Sequence, residues 1–167
     1  MKVKAWIAFY DFKKVQGWRW WAIKWLTGST HTHAHIEIQF AEPVAFVVGD
    51  RVKDKVMRLS TLEKLGAVRY WTYDLGCLYV TNRDLKFVQQ YRKPNSIVMI
   101  FYLLLGKWLG LQHPVSCISF ICDYLTFKGW EVPNLFTPRE LWETLNADNH
   151  VRWTGPSRKD DTCQMAE

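Results

Sequence analysis

Residues 31–40 read His31-Thr32-His33-Ala34-His35-Ile36-Glu37-Ile38-Gln39-Phe40 and alternate without a break. Thr32, Ala34, Ile36, Ile38 and Phe40 share one parity; His31, His33, His35, Glu37 and Gln39 share the other. Successive side chains of a strand point to opposite faces. The stretch is therefore expected to be a strand with one aliphatic core face and one face made almost wholly of imidazoles and a carboxylate.

The flanking segments fit around that strand. Residues 3–10 are apolar on both parities, as in a central strand covered on both faces. Residues 15–26 change period: Trp18, Trp21, Ala22 and Trp25 fall at i, i+3, i+4 and i+7, a helical stripe that Gly28 and Ser29 break. The stripe is expected to pack Trp18, Trp21 and Trp25 into the core, which leaves Trp20 to be explained. Ala41-Glu42-Pro43 turns the chain, and residues 44–48, 52–59 and 68–73 read as further strands.

The second half is helical. Thr81 or Asn82 caps a helix carrying Leu85, Val88 and Tyr91, and Pro94-Asn95-Ser96 starts another that runs through Leu105 to Gly106. His113-Pro114-Val115-Ser116 opens a third, with Pro114 suited to its first turn and Gly129 as its stop. Thr137-Pro138-Arg139-Glu140 is a capping box leading into a last helix. No repeat or linker interrupts residues 1–149, which read as one α+β domain. Residues 150–167 form a polar tail expected to fray.

Composition narrows the functional classes. Of 167 residues, 49% are hydrophobic and 16% aromatic, which excludes a disordered chain. Lys and Arg outnumber Asp and Glu by 22 to 16, and the resulting +6 charge favours anionic partners. The bases at Lys13-Lys14, Arg51 to Lys55 and Arg158-Lys159 are scattered and form no long block, so they leave nonspecific nucleic-acid binding open but unsupported. Cys77, Cys117, Cys122 and Cys163 are too few and too dispersed for a disulfide scaffold, so reduced thiols and an intracellular setting are expected. The N-terminus enters a strand pattern with no signal-peptide h-region. The longest apolar run, residues 97–105, is about half of the ~20 residues a spanning helix needs.

Three features carry chemistry. A cysteine attacks as its thiolate, and a helix N-terminus favours that charge; Cys117 lies three residues after Pro114, in the expected first turn. It needs a base and an orienting group, and His35 with Glu37 supply both from one strand face, with His31 and His33 as rival bases. The second feature is metal binding. His31, His33 and His35 point the same way, His113 and Cys117 share a helix face at i, i+4, and zinc takes such ligands. The third is Trp18-Arg19-Trp20-Trp21-Ala22-Ile23-Lys24-Trp25, whose interleaved bases and indoles suit a membrane interface or single-stranded nucleic acid.

The order of parts resembles a known family. A short strand precedes an aromatic helix ending in Trp25-Leu26-Thr27-Gly28-Ser29, followed by His35-Ile36-Glu37-Ile38-Gln39-Phe40. Much later come Val115-Ser116-Cys117-Ile118-Ser119-Phe120-Ile121-Cys122 and a closing Thr-Pro-x-x-Leu helix. This is similar to the circularly permuted NlpC-type branch of the papain-like cysteine hydrolases, found in bacteria, phages and large DNA viruses, with lecithin:retinol acyltransferase-like proteins as more distant relatives. The resemblance spans residues 3–146 and implies an antiparallel sheet packed against helices. It also implies Cys117 as nucleophile, His35 as base because His35-Ile36-Glu37 fits the motif, and Glu37 as the third polar member. The chain departs from the pattern at Ser116, where an aromatic is usual, and at Ser119, where an acid is common. The implied activity is cleavage of an amide, isopeptide, ester or thioester bond without a cofactor, on peptide, cell-wall peptide or lipid acyl substrates. The implied setting is the host cytoplasm or a virion. A binding or scaffold protein that keeps the fold without the chemistry is the alternative. Its basic, Trp-rich surface would contact a membrane, a nucleic acid or a protein.

Overall fold

The computed structural model describes residues 1–12, 17–29, 33–49, 53–106 and 108–147. Five strands form one antiparallel sheet in the order β4-β3-β2-β1-β5. They are β1 (Lys2–Phe12), β2 (His33–Ile38), β3 (Val44–Phe46), β4 (Val56–Arg58) and β5 (Ala67–Tyr79). The helices are α1 (Trp18–Thr27), α2 (Leu59–Lys64), α3 (Asn82–Gln90), α4 (Ser96–Phe101), α5 (Cys117–Phe127) and α6 (Pro138–Ala147). The α+β expectation holds. Helix α2 follows β4 directly, at the end of the stretch read as a strand over 52–59, and β5 runs six residues beyond the expected end at Tyr73.

Strand β1 is apolar on both parities because both its faces are covered. Ile7 and Phe9 join Ala34, Ile36 and Ile38 of β2, Ile118, Ile121 and Leu125 of α5, and Leu141 of α6 in the main core. Ala8 and Tyr10 face the other way, into a smaller cluster with Ala45, Val47 and Leu62 of α2. The sheet is thus a wall between two interiors of unequal size. Burial of the Ile, Leu and Phe side chains on either side is worth roughly 1.5–3 kcal/mol each.

Capping fixes the helices that matter for the site. Thr81 and Asp84 form the capping box of α3, and Thr137 and Glu140 exchange the same pair of bonds at the start of α6. Pro114 lies outside α5: Ser116 is its N-cap, in a box with Ser119, and Cys117 is its first residue. Ser116 Oγ also donates to the Phe136 carbonyl at 3.0 Å, which joins the start of α5 to the loop before α6. An N-cap of this kind contributes about 1 kcal/mol.

Helix α4 does not end at Phe101 but continues as a π-helical turn, Tyr102–Gly106. A Cβ on Gly106 would sit 2.6 Å from the Tyr102 ring, so glycine alone admits that close approach. The Tyr102 ring packs edge-on against Phe136, 5.0 Å between centroids.

The tryptophans of α1 overturn the sequence expectation. Among the described side chains of this helix Ile23 is the buried one, whereas Trp18, Trp21 and Trp25 are 66%, 68% and 70% exposed. Trp21 and Trp25 stack on each other in solvent, 6.3 Å apart and nearly parallel. Among the described residues no helix is long and apolar enough to cross a membrane.

Candidate active site

Strand β2 carries the expected polar face, but that face is buried: His33, His35 and Glu37 are 3%, 0% and 1% exposed. Antiparallel pairing sets Ala8 opposite His35 and Tyr10 opposite His33. The Tyr10 ring lies 4.3 Å from His35, and His33 meets His35 edge-on at 5.1 Å. Tyr10 Oη donates to Glu37 Oε1, and Arg69 Nη1 donates to Oε2 at 2.9 Å. Both oxygens of the buried carboxylate are thereby taken. Glu37 reaches His35 through the tyrosine instead of bonding to the ring as an orienting acid would.

Tyr10 and Arg69 are absent from the sequence-level site. Tyr10 reads as one more large residue in an apolar strand, and Arg69 arrives only because β5 pairs with β1, setting Arg69 opposite Tyr10. Arg69 is half exposed, so it links the buried carboxylate to solvent. Burial, and then the hydrogen bond and charge of Glu37, raise the Tyr10 pKa far above the ordinary phenol range.

Burial depresses the His33 pKa from 6.5 to about 4. It drives His35 well below 6.5, helped by the neighbouring His33. Both rings are therefore neutral at pH 7. A base whose pKa is lowered on folding binds more protons in the unfolded chain, so stability is full above pH 6.5 and falls as the pH drops toward 4. Loss of about 3 kcal/mol from His33 alone is expected across that window. Urea unfolding midpoints at pH 7 and pH 4.5 measure it, and His33→Gln should reduce the difference without abolishing it, because His35 is held low by burial as well. A midpoint that does not move in acid contradicts it.

Cys117 comes to the same strand from the other side. Its side chain is buried, and the backbone groups of Ala34, Cys117 and Ile118 near the sulfur favour its ionised form. Burial outweighs them and pushes the thiol pKa up to about 11. Ala34 sits between His33 and His35, and its own side chain faces α5. The structure thus gathers His35 and Glu37 on the Tyr10 face and seats the thiol at the backbone of the intervening residue, on the α5 face. Strand β3 pairs with β2 only over Ile36–Ile38, so the thiol meets β2 beyond the end of that ladder.

The remaining candidates separate. His31 lies outside the described residues. His113 precedes α5, does not share a helix face with Cys117, and its Nε2 lies 2.9 Å from Asn134 Oδ1. Among the described residues no three His, Cys, Asp or Glu side chains come together as metal ligands. Cys122 is buried, with its pKa pushed up to about 11 by burial. Cys77 is disulfide-bonded, so the expectation of reduced thiols holds for Cys117 and Cys122 and fails for Cys77.

A pocket of about 350 Å³ opens beside Val115, two residues before Cys117, over Phe87, Tyr91 and Asp123. Tyr91 Oη donates to Asp123 Oδ2 at 2.5 Å on its wall, and Arg92 stands at the same opening. No protein-family model matches this chain, and neither a curated protein nor a solved structure is similar enough to match it.

Proposed function

We propose that the protein is a papain-like thiol hydrolase that cleaves an amide, isopeptide, ester or thioester bond, with Cys117 as nucleophile and His35 as base. The observation that carries this reading is the seat of the thiol, at the first residue of α5 and on the backbone between two buried histidines. The thiol and the imidazoles are all in their neutral forms at pH 7. The mechanism is accordingly general-base attack, not a resting thiolate–imidazolium pair.

In this mechanism His35 takes the Cys117 proton as the sulfur bonds to the substrate carbonyl carbon; because the ring and the thiol lie on opposite faces of β2, the proton has to pass the strand at Ala34. The Cys117 N–H, one of the α5 donors without an intrahelical acceptor, meets the oxyanion. Collapse breaks the bond to the leaving group, which receives the proton from His35. Water then hydrolyses the acyl-enzyme and regenerates the thiol. Glu37 holds Tyr10 against the imidazole, and Arg69 neutralises Glu37. The pocket beside Val115, with an apolar floor and a charged mouth, suits an acyl chain or a peptide side chain.

The test is acyl trapping. Incubation with an aryl thioester should leave one acyl group on Cys117, located by peptide mass mapping. The adduct should persist in Cys122→Ala and vanish in Cys117→Ala. Equal labelling of both cysteines, or none, overturns the proposal.

A further inference from the structure

Two adjoining helices turn apolar stripes to solvent. Helix α1 presents Trp18, Trp21 and Trp25, and it packs against α4 and the π-helical turn. The second stripe carries Phe101 and Leu104, 52% and 57% exposed, and ends near Trp108, the most exposed of the large apolar residues described. An apolar surface of this extent marks an interaction site.

The two stretches of chain that carry this surface hold bases and no acids. No Asp or Glu occurs from residue 12 to 36 or from 85 to 122, although the chain has sixteen. The same two stretches hold Lys13, Lys14, Arg19, Lys24, Lys86, Arg92, Lys93 and Lys107. Lys24 is tied to Asp11 at 3.0 Å, and the Arg19 guanidinium lies over the Trp18 ring. Arg92 and Lys93 are exposed just before α4 begins.

We propose that the α1–α4 face docks on an anionic lipid bilayer. Indoles favour the boundary between headgroup and hydrocarbon, and aliphatic side chains beside them need hydrocarbon to enter. The exposed Arg92 and Lys93, on a stretch of chain without acids, draw that face to a negative surface. A second copy of the chain would set bases against bases. A nucleic acid would stack on the indoles but leave Leu104 and its aliphatic neighbours in water. Arg92 also stands at the mouth of the pocket beside Val115, so docking is judged on vesicle binding alone and not on acylation of Cys117.

Cosedimentation with vesicles tests it. Binding to phosphatidylglycerol vesicles should exceed binding to phosphatidylcholine vesicles at least tenfold at low salt and weaken as salt rises. The triple variant W18S/W21S/W25S should lose binding to both, and its circular dichroism should be unchanged because all three rings are exposed. Arg92→Glu with Lys93→Glu should lower phosphatidylglycerol binding by more than tenfold, about fivefold per base, and leave phosphatidylcholine binding unaltered. Equal binding to the two vesicles overturns the anionic assignment. Absence of vesicle binding, with association into dimers or capture of single-stranded DNA in its place, overturns docking on lipid.

Discussion

Replacing His35 with alanine is expected to slow acylation of Cys117 by about 10²–10⁴-fold at pH 7, the ordinary worth of a positioned base. A thiol with a pKa of about 11 is ionised in roughly one molecule in 10⁴ at pH 7. Without the base that small fraction does all the work. The acylation rate of His35→Ala should then climb tenfold per pH unit through pH 9. The unsubstituted protein should instead show a plateau between pH 6.5 and 9, because its imidazole is already neutral and its thiol still protonated. Single-turnover acylation by a thioester, followed across that range, separates the two behaviours. A structural role for His35 would lower the rate without changing the shape of the profile. Parallel profiles would therefore remove His35 from the chemistry.

Asp84 is the residue whose loss should cost the most stability. It is 1% exposed and collects four donors. Thr81 N–H and Oγ1 reach one oxygen at 2.8 and 2.7 Å, and Tyr124 Oη and Lys128 Nζ reach the other at 2.9 and 2.8 Å. Burial alone would raise its pKa, but the Lys128 ammonium, Thr81 and Tyr124 prevail and hold it below the usual carboxylate value. The cluster fastens the start of α3 to the far end of α5, the helix that begins with Cys117. Asp84→Ala removes the capping box, strands the fully buried Tyr124 hydroxyl and leaves the Lys128 ammonium with the Tyr79 carbonyl but no counter-charge. The expected loss is about 3–5 kcal/mol, read from the denaturant midpoint. Asp84→Asn, which keeps an acceptor of the same shape, should lose about half as much. A change below 1 kcal/mol in Asp84→Ala would mean that the four bonds are idle.

The parts of this architecture that lie within one element were legible in the amino-acid order. The alternation of residues 33–38 placed His35 and Glu37 on one face, because strand geometry leaves a side chain only two directions. Thr81, Ser116 and Thr137 could be located from local signals, although Pro114 drew the start of α5 too early. A proline suits a first turn, but Ser116 and Ser119 could form the capping box and took the end of the helix.

What depended on long-range packing was not legible. A stripe of Trp18, Trp21 and Trp25 has the same spacing whether it meets a core or an external partner, so its direction was misjudged. Arg69 belongs to the site through the register of β5 on β1, and register between distant strands leaves no local trace. Nor does spacing fix how α5 lies over the sheet. That placement decides whether the sulfur arrives on the imidazole side of β2 or, as found, on the other.

Strand β2 is hemmed in on both sides, with oil against Ala34, Ile36 and Ile38 and a charge relay against His33, His35 and Glu37. One residue inserted or deleted between positions 33 and 38 would trade the two sets across the wall. Imidazoles would enter the hydrocarbon interior, and isoleucines would face Arg69. Exchanging one residue for another keeps each set on its own side of the wall, whereas changing the count of six does not.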